Sequence, residues 1–156
     1  MAEIAYYSQE GMEQCCRRLM EMIAQNERGR LNAMVAPQYT DCSWENRSLT
    51  LRFHSAEWMS NPAGNTHGGA IASAMDITMG CLCWYMAGNN TMTPTVEMSV
   101  SYLRSIPLNS DFCVRATVTH AGRKLLRLVA EGRLCNEPEK LCFTGSSTYY
   151  VCRESE

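Results

Sequence analysis

Apolar and polar positions repeat along this chain with two periods, and the change of period marks its elements. Over residues 8–27, Met12, Cys15, Cys16, Leu19, Met20 and Ile23 recur at helical spacing, with Glu13, Arg17, Arg18, Glu21 and Gln25 elsewhere. That is one face of an amphipathic helix, capped by Ser8 and ended by Gly29. A mostly apolar run from Leu31 to Val35, broken by Asn32 and stopped by Pro37, predicts a first strand. A turn cluster follows over Asp41 to Arg47. Ser48 to His54 then sets Leu49, Leu51 and Phe53 against Thr50 and Arg52, a half-buried strand that would close a hairpin with the first.

Residues 56–66 are loop by their Ser, Asn, Pro and Gly content. From His67 to about Met86 nearly every position is apolar, which predicts a helix covered on most faces. Gly88-Asn89-Asn90 supplies its C-terminal stop. Beyond it the period falls to two. Thr95 to Leu103 places Val96, Met98, Val100 and Tyr102 on one face. Phe112 to His120 does the same with Phe112, Val114, Ala116 and Val118, and Leu125 to Cys135 and Leu141 to Cys152 are also strand-like. Short connections between these four predict an antiparallel meander. The fold class is α+β: one long helix covered by a curved antiparallel sheet.

A length of 156 residues suits one domain, divided into an N-terminal helical segment (1–30) and a main domain (31–156). A net charge of −2 gives no reason to expect nucleic acid. Arg123, Lys124, Arg127 and Arg133 nevertheless lie close together, suited to a phosphorylated small molecule. Nine cysteines, an odd number, follow a start (Met-Ala-Glu-Ile-Ala-Tyr-Tyr) that lacks the secretory pattern. Free thiols in a reducing, cytoplasmic compartment are expected. Residues 69–88 are long enough to cross a membrane, but a mid-span Asp76 costs about 2.5–3.5 kcal/mol on insertion scales, and no Lys or Arg flanks the stretch. A buried helix without a membrane is the expectation.

Asp76 stands alone in that apolar helix, nine residues after His67. It is either a structural carboxylate that caps a backbone or pairs with an Arg, or a general base or nucleophile. Gly68-Gly69 opens the helix, whose first N–H groups lack intrahelical partners and carry the positive end of the dipole. Such groups suit negative charge developing on a carbonyl oxygen. His67 is a candidate hydrogen-bond donor there. Asn61 is a turn-former before Pro62 or a holder of a carbonyl or water. Thr95 is a strand-former or a residue that orients a water. No zinc-like Cys or His spacing, G-x-S-x-G or phosphate loop is present, so neither a metal nor a cofactor is expected. Eleven methionines suit an adaptable apolar pocket, with Met75, Met79, Cys83, Trp58 and Met59 as lining candidates.

Asn61-x-x-Gly64-x-x-His67-Gly68-Gly69, followed by Asp76, resembles the hotdog-fold acyl-CoA thioesterases, specifically the PaaI-like (phenylacetate-pathway and Arthrobacter-type 4-hydroxybenzoyl-CoA) group. Thr95 to Arg104 and His120-Ala121-Gly122-Arg123-Lys124 extend the likeness over roughly residues 48–152. The resemblance implies a homodimer or homotetramer joined sheet edge to edge, with active sites between subunits. It implies Asp76 as the catalytic carboxylate, the Gly68 N–H polarising the thioester carbonyl, and Asn61, His67 and Thr95 assisting. It further implies an acyl-CoA substrate with its phosphates at Arg123, Lys124 and Arg104. Gly69, Met75 and Met79 are further substrate-binding candidates. Thr66 departs from the usual apolar residue before the His; Ser105-Ile106-Pro107 and Ser110 depart in the later loop. A non-catalytic acyl-CoA-binding protein and a hydratase or dehydratase of the same fold are the alternatives.

Overall fold

The structure, a computed structural model, describes residues 6–26, 28–88 and 91–152. Helix α1 spans Gln9–Asn26 and turns Met12, Cys16, Met20 and Ile23 into the core, as its spacing requires. The Ser8 hydroxyl accepts from the Gly11 N–H at 3.0 Å, and Gly29 beyond the end has φ +79°. Leu31–Val35 is not a strand but a short helix, α2. A five-residue apolar run has no period that separates strand from helix. Here Ala36 adopts the left-handed conformation and returns its N–H to the Asn32 carbonyl, with Pro37 directly behind. Such an end belongs to a helix.

The first strand, β1, is Gln38–Ser43 and overlaps the stretch that reads as turn. It is an edge strand with only Cys42 buried, so it carries no alternating signal. It pairs with β2 (Ser48–His54) through a tight turn at 44–47. Next come a single 3₁₀ turn at Glu57–Met59 and the long helix α3, Gly68–Ala87. Gly88 follows it; Asn89 and Asn90, the rest of the expected stop, lie outside the described residues.

Four strands complete the chain: β3 (Thr95–Tyr102), β4 (Asp111–Ala121), β5 (Leu125–Leu134) and β6 (Glu137–Tyr150). All pairings are antiparallel, in the order β1-β2-β4-β5-β6-β3. Only β4-β5-β6 form the predicted meander. β3 does not pair with β4; it crosses to the far edge and pairs with β6. The eight residues between β3 and β4 are a crossover rather than a hairpin loop, a distinction that loop length alone does not make. β2 and β4 thereby become neighbours, β4 and β5 hold the centre, and the sheet curls round α3 with β1 and β3 at its edges.

Helix α3 is long and apolar enough to span a membrane by length and composition, but it is the core of this fold. It packs on β2, β4 and β5, burying ten of its residues, among them Met75, Met79 and Leu82. Phe53, Phe112 and Phe143 form a stacked and edge-on series beneath it. The helix approaches β6 so closely that a Cβ on Gly145 would collide with the Met75 thioether and the Ser99 carbonyl oxygen. Gly145→Ala is therefore expected to destabilise the fold by about 1–3 kcal/mol, the range for overpacking, read as a lower urea midpoint at unchanged slope.

Candidate functional site

Two separate clusters of chemistry lie along α3. The first is at its start. The chain enters through a loop that Asn61 organises: its Oδ1 accepts from the Ala63 N–H at 2.9 Å and the Asn65 N–H at 3.1 Å. The Asn61 amide NH₂ donates to no described residue. His67 is the N-cap, its Nδ1 accepting from the Gly69 N–H at 2.9 Å. A nitrogen that accepts carries no proton, so the ring proton sits on Nε2, directed away from the helix. The Gly69 N–H is consumed by that cap. The Gly68 N–H makes no hydrogen bond among the described residues. The Tyr102 hydroxyl donates to the Gly68 carbonyl at 2.7 Å, and a Cβ on Gly68 would meet its ring at 3.2 Å.

The departures near this loop explain each other. Thr66 is buried, and its hydroxyl donates to the Ile106 carbonyl at 2.8 Å while meeting the Ser55 hydroxyl at 2.5 Å. The Thr66 N–H donates to the same Ile106 carbonyl. The polar residue before His67 and the altered 105–107 segment thus form one hydrogen-bonded lock.

The second cluster surrounds Asp76, two turns further on. Asp76 is half-buried, and no Arg or Lys pairs with it among the described residues. Thr95 Oγ1 donates to its Oδ1 at 2.9 Å, and the Tyr149 hydroxyl donates to the same oxygen at 2.7 Å. Oδ2 is left without a partner from the described residues. Thr95 and Tyr149 are partners across the β3–β6 ladder, so the sheet aims both hydroxyls at one point of the helix. Burial, with the Asp76 carboxylate beside it, pushes the Tyr149 phenol far above its ordinary pKa. It stays a donor throughout the usable pH range.

Tyr149 is the residue that sequence reasoning missed. In sequence it is one more aromatic position of a strand. Its only signal is that a buried tyrosine hydroxyl needs a partner, and its register with Thr95 is a property of the fold.

Each cluster opens on a cavity. One of about 330 Å³ adjoins the helix start and is lined by Trp58, Met59, His67, Gly69 and Ser73 among others. The other, about 310 Å³, lies beside Asp76, Thr95 and Tyr149. Met75, Met79 and Cys83 line neither cavity. All three are fully buried, because the face of α3 that carries them turns to the sheet.

One chain does not unite the two clusters. Eight residues of helix separate Gly68 from Asp76, a rise of about 12 Å. The basic residues divide likewise. Arg104 follows β3 at the Gly68 end, its N–H on the Cys142 carbonyl, whereas Arg123 and Lys124 occupy the β4–β5 turn, where the Lys124 carbonyl accepts from Val151. The span between them, along β6, is on the order of 25 Å. All three side chains are exposed. Among the described residues no group of three or more His, Cys, Asp or Glu side chains is placed to hold a metal ion.

Val96, Met98, Val100 and Tyr102 read as a buried face, yet none is buried in the single chain, and Val96 and Tyr102 are 60% and 52% exposed. An apolar edge strand of this length is a surface for another strand.

Comparison with known proteins agrees with this architecture. The thioesterase superfamily profile matches residues 63–143, more than half of the chain. A conserved protein of Pseudomonas aeruginosa is 29% identical, with a TM-score of 0.68 over 76% of this chain and 90% of its own. The Escherichia coli PaaI protein of the phenylacetic acid degradation operon is 13% identical, with a TM-score of 0.76 over 94% of this chain and 97% of its own. A Streptococcus mutans protein bound to acetyl-CoA is 18% identical, with a TM-score of 0.64 over 76% of this chain and 92% of its own. The last two share the hotdog fold with this chain.

The capping role of His67 is separable from any chemistry at Nε2. His67→Ala should cost about 0.5–2 kcal/mol of stability, the range for a lost N-cap, whereas His67→Asn, a good cap, should retain it. Urea unfolding of both variants, beside their activities, checks this.

Proposed function

The chain belongs to the thioesterase superfamily, and on that premise we propose that it hydrolyses acyl-CoA thioesters to a free acid and CoA. The observation that carries the reading is the Asp76 carboxylate, held through Oδ1 by Thr95 and Tyr149 and lining a cavity, with Oδ2 unpartnered among the described residues. It sits on the same helix whose first N–H is unpaired.

The two clusters become one site when two chains pair. Antiparallel pairing of two β3 edges reverses one strand against the other. The Gly68, His67, Asn61 and Arg104 end of one copy then lies beside the Asp76, Thr95, Arg123 and Lys124 end of its partner. A homodimer therefore holds two equivalent sites, related by its two-fold axis, and stacking of dimers would give a tetramer. The exposed apolar β3 supports this arrangement.

In such a site the thioester carbonyl oxygen accepts from the Gly68 N–H, with the Asn61 amide and His67 Nε2–H close by. Asp76 Oδ2 acts as base, taking a proton from water as its oxygen attacks the carbonyl carbon, or attacks that carbon itself to give an anhydride that water then opens. In both, the carbon–sulfur bond breaks, and the CoA thiolate leaves and takes up a proton. Thr95 holds the base instead of the water. The CoA phosphates meet Arg123 and Lys124 of one chain and Arg104 of the other. With its cysteines as free thiols, the protein suits a reducing, cytoplasmic setting.

Asp76→Asn should lower kcat by about 10²–10⁴, the contribution of a positioned base, with oligomeric state unchanged by light scattering. Gly68→Pro removes one N–H at the helical position where proline is tolerated; its Cβ would press on the Tyr102 ring at 3.2 Å, so folding is checked beside activity, and the lost donor should cost about 10²–10³ in kcat. Mixing the two inactive variants after unfolding and refolding should restore activity to about a quarter of wild type, the statistical share of intact sites in a two-fold pair. No recovery on mixing would mean that each chain carries its site alone.

Tyr149→Phe removes one of the two hydrogen bonds to Asp76 Oδ1 and should lower kcat/KM by about 10–100-fold, the worth of a hydrogen bond to a charged group.

A further inference from the structure

Resting on the thioesterase reading, we propose that the cavity beside Asp76 is the acyl site, and that it takes an uncharged, medium-length acyl chain whose far end stops against the Trp84 indole. Asp76, Gly80 and Trp84 follow one another at four-residue spacing, so they lie on one face of α3 and form a floor that runs along the helix axis. Leu19 and Ile23, also four residues apart, bring the facing wall from α1. Ile77 closes one side.

Gly80 keeps the floor open. A Cβ built there would find its nearest neighbour, a Tyr149 ring carbon, at 3.8 Å, an ordinary contact. The absent side chain is thus not demanded by tight packing; it leaves room for something else. A larger residue at 80 would project into the cavity just beyond the carboxylate.

Charge decides the class of chain. Among the described residues of the chain, Asp76 is the one charged residue that lines the cavity and Asn32 the one side-chain amide. A second carboxylate on the acyl group would face Asp76 with no cation from that lining to offset it. Succinyl-type acyl groups are disfavoured, and plain hydrocarbon is favoured. Length follows from the helix: Asp76 to Trp84 is eight residues, a rise of about 12 Å. A zigzag of single bonds near 1.5 Å advances about 1.3 Å per carbon, so the floor accommodates roughly nine carbons.

The test is free-thiol release from straight-chain acyl-CoAs of two to sixteen carbons, with succinyl-CoA and benzoyl-CoA added, using the full-length protein. Wild-type kcat/KM should rise about fourfold per methylene, the value of burying one CH₂, and stop rising near eight to ten carbons. Gly80→Leu, which replaces glycine by a better helix former, should move that optimum several carbons shorter. Trp84→Ala should move it longer. Succinyl-CoA should react at least tenfold more slowly than butyryl-CoA. If both variants keep the wild-type chain-length profile while Asp76→Asn abolishes turnover, the acyl site lies elsewhere and the hydrolase reading stands. If succinyl-CoA matches butyryl-CoA, the proposed charge selection is wrong. If the wild type releases thiol from no member of the panel, both readings fall together.

Discussion

A carboxylate in an apolar helix is tolerable only when donors on a neighbouring element replace the water it has lost. Here those donors are two hydroxyls, Thr95 and Tyr149, on adjacent strands of the sheet that wraps the helix. They are neutral, so they solvate one carboxylate oxygen without neutralising the group, and the other oxygen remains available. An arginine in their place would have made Asp76 a structural ion pair. The site thus depends on the register of β3 against β6. A one-residue slip would turn every side chain of β3 to the opposite face and remove Thr95 from reach.

The same strand meets two demands. Its inner edge supplies Thr95, Tyr102 and the ladder to β6. Its outer edge is unpaired and apolar, which is costly in isolation and useful only against another chain. Tyr102 ties this edge to the helix start through the Gly68 carbonyl, while Thr95 ties it to Asp76 two turns away. Both halves of the chemistry are therefore anchored on the element that a partner would cover. In the proposed dimer, assembly and activity would share one strand, and damage to that edge would be felt by both.

The sequence made the long elements legible because burial leaves a period. α1, α3, β2, β4 and β5 stand close to where their apolar positions place them, and β6 begins four residues before its expected start because its first residues are polar. Lone edges and short runs left no such trace. β1 is polar on most positions, α2 is too short for periodicity, and the crossover of β3 is invisible in a loop of ordinary length. The residues of the site were legible as a pattern of types, from Asn61 to Thr95, but not as a geometry. Nothing in the order of residues says that Gly68 and Asp76 stand two turns apart on one helix. Nor does it reveal that Tyr149 lies across the ladder from Thr95, or that Met75 and Met79 face the sheet.

The lock between Thr66, Ser55 and the Ile106 carbonyl has a consequence for how this loop can be exchanged with related chains. The hydroxyl at position 66 meets Ser55 and donates to the backbone path that Ser105-Ile106-Pro107 follows, and that path in turn offers a carbonyl which an apolar residue at 66 would leave half-served. The two segments lie forty residues apart, yet they form a single hydrogen-bonded unit. A chimera that swaps either one alone would strand a buried polar group beside the helix cap, whereas a chimera that swaps both would carry the entrance geometry across intact.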